Sequence, residues 1–461
     1  MLLREVECIS LGLVLALGVL WRMAKIQSTA PVATDANTTD PPLLRSHSEI
    51  KPYKAARTGV TYPGIRIFYR RHPKADELPR DPAPLPLLVF IHGLGGSVAQ
   101  FHPLLTSLSN SASCLAIDFP GCGRSQFAPT SWDAYSPECL IDLAETIIND
   151  YREEDQGVVL IGHSMGTAIA ARIANKKYPH HSLPPSSVMG VVAICPVAGP
   201  LPESATRAFR RLLWLPDFIF NLWRAWDGWG GPESASVKRF VGPGGDLEAR
   251  QLQYRFNRQS RTPVFRRMAW GLLPVFIQGK PTGGLWGSAS WSDLDVPIFL
   301  VGGQYDKVTP PEIIREIEEL LKATDKAQSS VRVSSERDAG MDSVTGANTL
   351  GEAAAPVNLN TIVRDHIPQS IEEINQDDFK RKKPFLTTRE ESFEDPTTPR
   401  DHQEPECLSI IPSQPIHPRK VVKSAILSGG HALLYMPSTV RILAGLVGDF
   451  MNENITNRFS L

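Results

Sequence analysis

The chain reads as an α/β protein with a mostly parallel central sheet flanked by helices, interrupted by an inserted helical cap and by a long disordered insertion. Three observations carry that reading. Short, wholly apolar runs such as Leu87–Ile91, Val158–Ile161, Val191–Cys195 and Val296–Val301 have the length and composition of strands buried on both faces. Several of these runs end in glycine-rich turns, which place loops and helix starts at the strand ends. Between residues 199 and 291 the apolar positions turn aromatic and helically spaced, whereas between 323 and 419 they nearly vanish.

Taken in order, the chain opens on an apolar stretch, Cys8 to Trp21, bounded by Glu7 on one side and by Arg22 and Lys25 on the other. It is shorter than the roughly 20 residues that span a bilayer comfortably. Its leading region is not basic, because Glu5 and Glu7 offset Arg4, and the Lys and Arg excess follows it. Residues 1–25 therefore read as a membrane anchor, single-pass or peripheral, with the following domain cytoplasmic; a cleaved signal leading into the secretory pathway is the alternative. Residues 26–55 read as a polar linker, and 56–198 as the first part of the core. The cap spans 199–291, with a glycine-rich break at Gly242–Gly245 between two aromatic groups. Core sequence returns over 292–322. Thr309, Pro310 and Glu312 form a capping box that predicts a helix starting at Pro310. The insertion, 323–419, is rich in Ser, Thr, Asp, Glu, Pro and Lys, and closing such a loop costs only about 0.6 kcal/mol per doubling of its length. Residues 420–461 complete the core with a strand, Val421–Leu427, and a closing helix.

The chemistry gathers at the strand ends. Ser164 lies within Gly162-His163-Ser164-Met165-Gly166, directly after the Val158–Ile161 strand and directly before the small-residue helix pattern Thr167–Ala171. This is a G-x-S-x-G nucleophile elbow in its strand-to-helix setting. An exposed serine on an ordinary strand-turn-helix is the plain alternative, and the remaining motifs weigh against it. The Leu87–Ile91 strand runs into His92-Gly93-Leu94-Gly95-Gly96, so the backbone N–H groups of Leu94 and Met165 are the candidate oxyanion-hole donors. His92 and His163 are read as braces of their loops. The strand ending in Gly302-Gly303-Gln304-Tyr305-Asp306 puts a carboxylate at the rim where open α/β sheets bind ligands, which makes Asp306 the orienting acid. His431, in Ser428-Gly429-Gly430-His431, is the candidate base, because His366, His402 and His417 have no strand before them.

Together with Asp118-Phe119-Pro120-Gly121-Cys122-Gly123-Arg124-Ser125, these motifs resemble the alpha/beta-hydrolase fold superfamily over about residues 60–322 and 420–455. Within it the chain is most similar to serine-nucleophile members with a helical lid. The resemblance implies an alpha/beta-hydrolase fold and a triad of Ser164, His431 and Asp306 in that family's chain order. Members that are dehalogenases or epoxide hydrolases carry an aspartate where Ser164 stands, so the resemblance implies acyl transfer to serine and then to water.

Substrate class is read from the cap. A cap this small cannot bury all its large rings internally, so some are expected to line an acyl-binding cavity or to face a membrane. Trp223 and Trp226, three apart, are the candidate substrate-binding pair. The resulting expectation is a membrane-associated carboxylester hydrolase or lipase-like enzyme acting on a lipophilic acyl ester. A peptidase of the same fold and a hydrolase-fold interaction protein with a vestigial triad stay open. The formal charge of −1 on 461 residues gives no reason to expect nucleic acid as a partner. No cofactor is implied and no metal-ligand cluster is visible. Cysteines at 114, 122, 139 and 195 fall in or beside core elements without a pairing framework, which suits a reducing compartment. Protein partners of the insertion are not specified by its composition.

Overall fold

In a computed structural model of the full chain, the described residues are 40–78, 84–178, 180–286, 291, 293–322 and 422–455. The candidate anchor, residues 26–39 of the candidate linker and the insertion lie outside them. Among the described residues no helix is long and apolar enough to cross a membrane.

Eight strands form one sheet. They are β1 (Ser48–Lys54), β2 (Thr61–Arg70), β3 (Leu87–Ile91), β4 (Cys114–Ile117), β5 (Val158–His163), β6 (Val188–Ile194), β9 (Ile298–Gly303) and β10 (Val422–Leu427), in the order β1-β2-β4-β3-β5-β6-β9-β10. From β4 to β10 every pairing is parallel; β1 and β2 add an antiparallel edge. This is the alpha/beta-hydrolase architecture. The candidate linker is shorter than expected, because residues 48–54 are a strand. The strand is easily missed: its sequence, Ser-Glu-Ile-Lys-Pro-Tyr-Lys, is mostly polar, and as an edge strand it buries only Tyr53.

Strand alternation divides the apolar residues between two cores. Leu87, Val89 and Ile91 face one side together with Val158, Leu160, Val191 and Ala193. There they meet helices α2 (Pro137–Tyr151), α3 (Met165–Ala174) and α9 (residues 312–322). Leu88 and Phe90 face the other side with Val159, Ile161, Val192 and Phe299, under α1 (His102–Leu108) and α10 (Pro437–Asn454). Both faces are covered, so the central strands can be apolar throughout. Each fully buried aliphatic or aromatic side chain contributes about 1.5–3 kcal/mol of hydrophobic stabilisation.

Between β6 and β9 the chain forms α4 (Glu203–Leu213), α5 (Asp217–Gly228), α6 (Ala235–Val241), α7 (Leu247–Gln259) and α8 (Thr262–Leu272). A small hairpin of β7 (Val275–Ile277) and β8 (Lys280–Thr282), not expected from the sequence, follows them. Cys114, Cys122, Cys139 and Cys195 are buried and unpaired.

A buried charge cluster ties the antiparallel edge to the loops above the sheet. The Asp118 carboxylate accepts from the Val98 N–H at 2.6 Å and the Arg124 N–H at 2.9 Å, and it pairs with the Arg66 guanidinium at 3.3 Å. Arg66 also pairs with Asp40 at 3.0 Å. Arg66 and Asp118 are almost wholly buried, so neither can be relieved by water if its partner is removed. Asp118→Ala is expected to lower the unfolding free energy by about 3–5 kcal/mol, measured by chemical denaturation. Asp118→Asn, which keeps polar contacts, should cost less.

Candidate active site

Ser164 joins β5 to α3 with φ 52° and ψ −120°, a backbone conformation that a non-glycine residue adopts only when its surroundings hold it there. The holding contacts are visible. The Ser164 N–H donates to the Ile194 carbonyl at 2.9 Å, and the Ser164 carbonyl accepts from the Thr167 N–H and hydroxyl at 2.9 and 2.7 Å. A side chain on Gly162 would come within 2.5 Å of the Gly166 carbonyl oxygen, and one on Gly166 within 2.0 Å of the Ile91 carbonyl oxygen. The elbow therefore exists only with glycine on both flanks. It leaves Ser164 partly exposed at the carboxyl end of the sheet.

The loop after β3 closes over the same point. A Cβ on Gly93 would lie 3.0 Å from Ser164 Cβ, so loop and elbow are in contact. His92 fixes the loop as a neutral ring: its Nδ1 is 2.7 Å from the Gly93 carbonyl oxygen, and its Nε2 accepts from the Phe119 N–H at 3.0 Å. Burial holds the His92 pKa below the usual histidine value, consistent with that neutral tautomer. Among the described residues, the backbone N–H groups of Leu94 and Met165 have no hydrogen-bond partner. Met165 is the first residue of α3, where an unpaired N–H and the positive end of the helix dipole coincide.

Asp306 and His431 are 125 positions apart, yet His431 Nδ1 lies 2.8 Å from Asp306 Oδ2, with both side chains buried. Asp306 Oδ1 also accepts from the Val308 and Thr309 N–H groups at 2.7 and 2.9 Å, and Oδ2 accepts from the Thr309 hydroxyl at 2.7 Å. Burial alone would raise the Asp306 pKa; the hydrogen bond from His431, its attraction and the Thr309 donors outweigh that and hold it at about 2. The carboxylate thus stays ionised and accepts the Nδ1 proton, which leaves the Nε2 lone pair of His431 available. No hydrogen bond joins Ser164 Oγ to His431 among the described residues.

Two supports were not evident from the sequence. Thr309, expected as a helix N-cap, instead gives its hydroxyl to Asp306 and lies 3.2 Å from His431 Nδ1, and α9 starts at 312 rather than at Pro310. A threonine just before a helix has the same signature in either role. The second support is the cap. The Gly430 N–H donates to the Val241 carbonyl at 3.1 Å and the Ala432 N–H to the Phe240 carbonyl at 2.9 Å, so the end of α6 grips the loop on both sides of His431. The Phe240 ring packs edge-on against the imidazole at 5.4 Å. From below, the His163 Nε2 lies 3.0 Å from the His431 carbonyl oxygen. Burial, reinforced by repulsion from His431, lowers the His163 pKa to about 3, so it props the loop as a neutral ring. Cys195, at φ 51°, sits beneath the pair; burial and the neighbouring Asp306 carboxylate raise its pKa, so it stays a thiol.

Trp223 and Trp226 are placed elsewhere. Both lie on α5 with more than half of their surface exposed. Leu94 packs instead against the cap cluster of Leu213, Phe220, Ala269 and Leu273, as do Phe209 and Phe265. A tryptophan pair three apart identifies one helix face, but not which face turns inward.

Residues 88–340, more than half of the chain, match the model of the Alpha/beta hydrolase family. The chain belongs to that family. It is 26% identical over 252 residues to an abhydrolase domain-containing protein of Schizosaccharomyces pombe, over 53% of this chain and 64% of that protein. It is 25% identical over 257 residues to lipid droplet hydrolase 1 of Saccharomyces cerevisiae, over 49% of this chain and 64% of that protein. The chain thus spans just under two thirds of the length of these relatives. Among solved structures, a thermophilic esterase from Thermogutta terrifontis superposes with a TM-score of 0.42 at 17% identity, over 62% of this chain and 98% of that one.

The depressed Asp306 pKa fixes a pH dependence. Its ionised form contributes stability that is fully present above the ordinary carboxylate pKa, near pH 4, and is lost as pH falls toward about 2. Asp306→Asn is therefore expected to remove about 2 kcal/mol of the acid-induced stability loss between about pH 4 and pH 2, read from urea midpoints at each pH.

Proposed function

We propose that the chain is a serine carboxylester hydrolase acting on a lipophilic acyl ester. The observation that carries this reading is the meeting, at one rim of the sheet, of a strained serine, two N–H groups without a partner among the described residues and a buried carboxylate–imidazole pair. Ser164 Oγ attacks the acyl carbonyl carbon while His431 Nε2 takes its proton, and Asp306 stabilises the imidazolium that forms. The N–H groups of Leu94 and Met165 receive the developing oxyanion, each such donor being worth about 3–4 kcal/mol of barrier. His431 then gives the proton to the departing alcohol, leaving Ser164 acylated. Water, deprotonated by His431, attacks the acyl-enzyme; the acid departs and Ser164 recovers its proton.

The lipophilic preference is supported by the apolar cluster of Phe209, Leu213, Phe220 and Phe265 beside Leu94, where an acyl chain would gain about 0.8 kcal/mol per buried methylene. The name of the yeast relative, lipid droplet hydrolase, points the same way.

Fluorophosphonate labelling tests the nucleophile. Ser164→Ala and His431→Ala should each abolish labelling with little change in the thermal unfolding transition, and undiminished labelling of Ser164→Ala would refute the assignment. With wild-type protein, turnover should rise with acyl length well beyond acetate. A preference for acetyl esters or aminoacyl amides would remove the lipophilic reading.

A further inference from the structure

Helix α5 is built the wrong way round for a surface helix of a soluble domain. Apart from Phe220, its inward arc is polar. The Asn221 side-chain oxygen accepts from the Thr262 hydroxyl at 2.6 Å, the Arg224 guanidinium donates to that hydroxyl at 3.0 Å and to the carbonyls of Asn257 and Ser260, and the Asp227 carboxylate accepts from the Ser236 N–H and hydroxyl. Its outward arc is apolar. Phe218, Leu222, Trp223 and Trp226 are 45%, 54%, 54% and 64% exposed, and Trp229, just past the helix end, is 85% exposed. Only Phe220 on this helix is buried. Residues 221, 224 and 227 lie on one side of a 3.6-residue helix, and 218, 222, 226 and 229 on the other. The exposed rings therefore follow from how the polar side is bonded; turning them inward would break every one of those bonds.

We propose that this outward face of α5 docks on the surface of a phospholipid layer. The face carries three tryptophans, the side chain whose apolar body and polar N–H suit the headgroup boundary. Charge favours a surface with anionic headgroups over a neutral or basic protein groove. The acids of α4 and α5 are already engaged, Glu203 with Arg207, Asp217 with Arg266 and Asp227 with Ser236, whereas Arg211 is exposed beside them without a salt-bridge partner among the described residues. The rim is thus left with an uncompensated cation for anionic headgroups. This inference does not depend on the hydrolase reading, because the bonding of α5 would turn the same face outward whatever Ser164 does.

The test uses the full chain and vesicles of phosphatidylcholine with a minority of phosphatidylserine, some of the lipid carrying brominated acyl chains. Wild-type tryptophan fluorescence should be quenched by the brominated vesicles. In the Leu222→Glu/Trp229→Glu protein that quenching should fall sharply, and the vesicle partition coefficient should drop at least about tenfold. Quenching unchanged by the double substitution overturns the proposal, even if the chain still binds vesicles through another segment. Sedimentation without lipid covers the rival occupant: a wild-type dimer that the substitutions dissociate would assign the face to a second copy and overturn lipid docking. Fluorophosphonate labelling of the double variant at the wild-type level shows that it is folded. Absence of labelling in both proteins would remove the hydrolase reading and leave the docking result standing, with the unfolding transition then reporting the fold.

Discussion

The contact on which the site depends is the 2.8 Å hydrogen bond between His431 and Asp306, formed across 125 positions of chain. Closing so long a loop is affordable because its entropy grows only logarithmically with length, but the ends must be held by something other than the loop. The holding is done by parallel pairing of β9 with β10 in unbroken register from Ile298↔Val422 to Gly303↔Leu427. It continues past the strands, where the Gln304 and Tyr305 N–H groups donate to the carbonyls of Leu427 and Gly429 at 2.8 and 2.9 Å. The loops that carry Asp306 and His431 therefore leave the sheet as one bonded unit.

Much of this arrangement is legible in the sequence, because the central strands are covered on both faces. Leu87–Ile91 and Val158–Ile161 are continuous apolar runs for that reason, and their ends mark where Leu94, Ser164 and Asp306 must stand. Legibility fails where a residue serves tertiary contacts that share a local signature with something simpler. Thr309 reads as a cap and acts on a carboxylate, and β1 reads as linker because an edge strand needs only one buried side chain. Trp223 and Trp226 read as cavity lining because aromatic residues on a helix are usually its buried side; here Arg224 and Asn221 claim that side instead. The spacing of 221, 224 and 227 was present in the sequence, but a polar stripe is ordinarily the wet one, and only the partners Thr262, Asn257, Ser260 and Ser236 reverse that rule.

The cap is more than a cover, because it holds the His431 loop. Val241 and Phe240, at the end of α6, accept the N–H groups of Gly430 and Ala432 on either side of His431. Close approach makes this grip demanding: a side chain on Gly430 would lie 2.5 Å from the Phe240 carbonyl oxygen. A cap that swung away as one body would break both bonds and release the imidazole. Under the proposed function, substrate would enter with α6 still in place, past the apolar cap cluster of Leu213, Phe220, Ala269 and Leu273 against which Leu94 packs. Apolar side chains exchange neighbours at lower cost than buried backbone hydrogen bonds, since an apolar ligand replaces the contacts it displaces while an unpaired N–H does not recover its partner. Under the proposed function the two ends of the cap divide the work: α6 stays bonded to the His431 loop, and the apolar side of α4 and α8 is the part that would yield to an acyl chain.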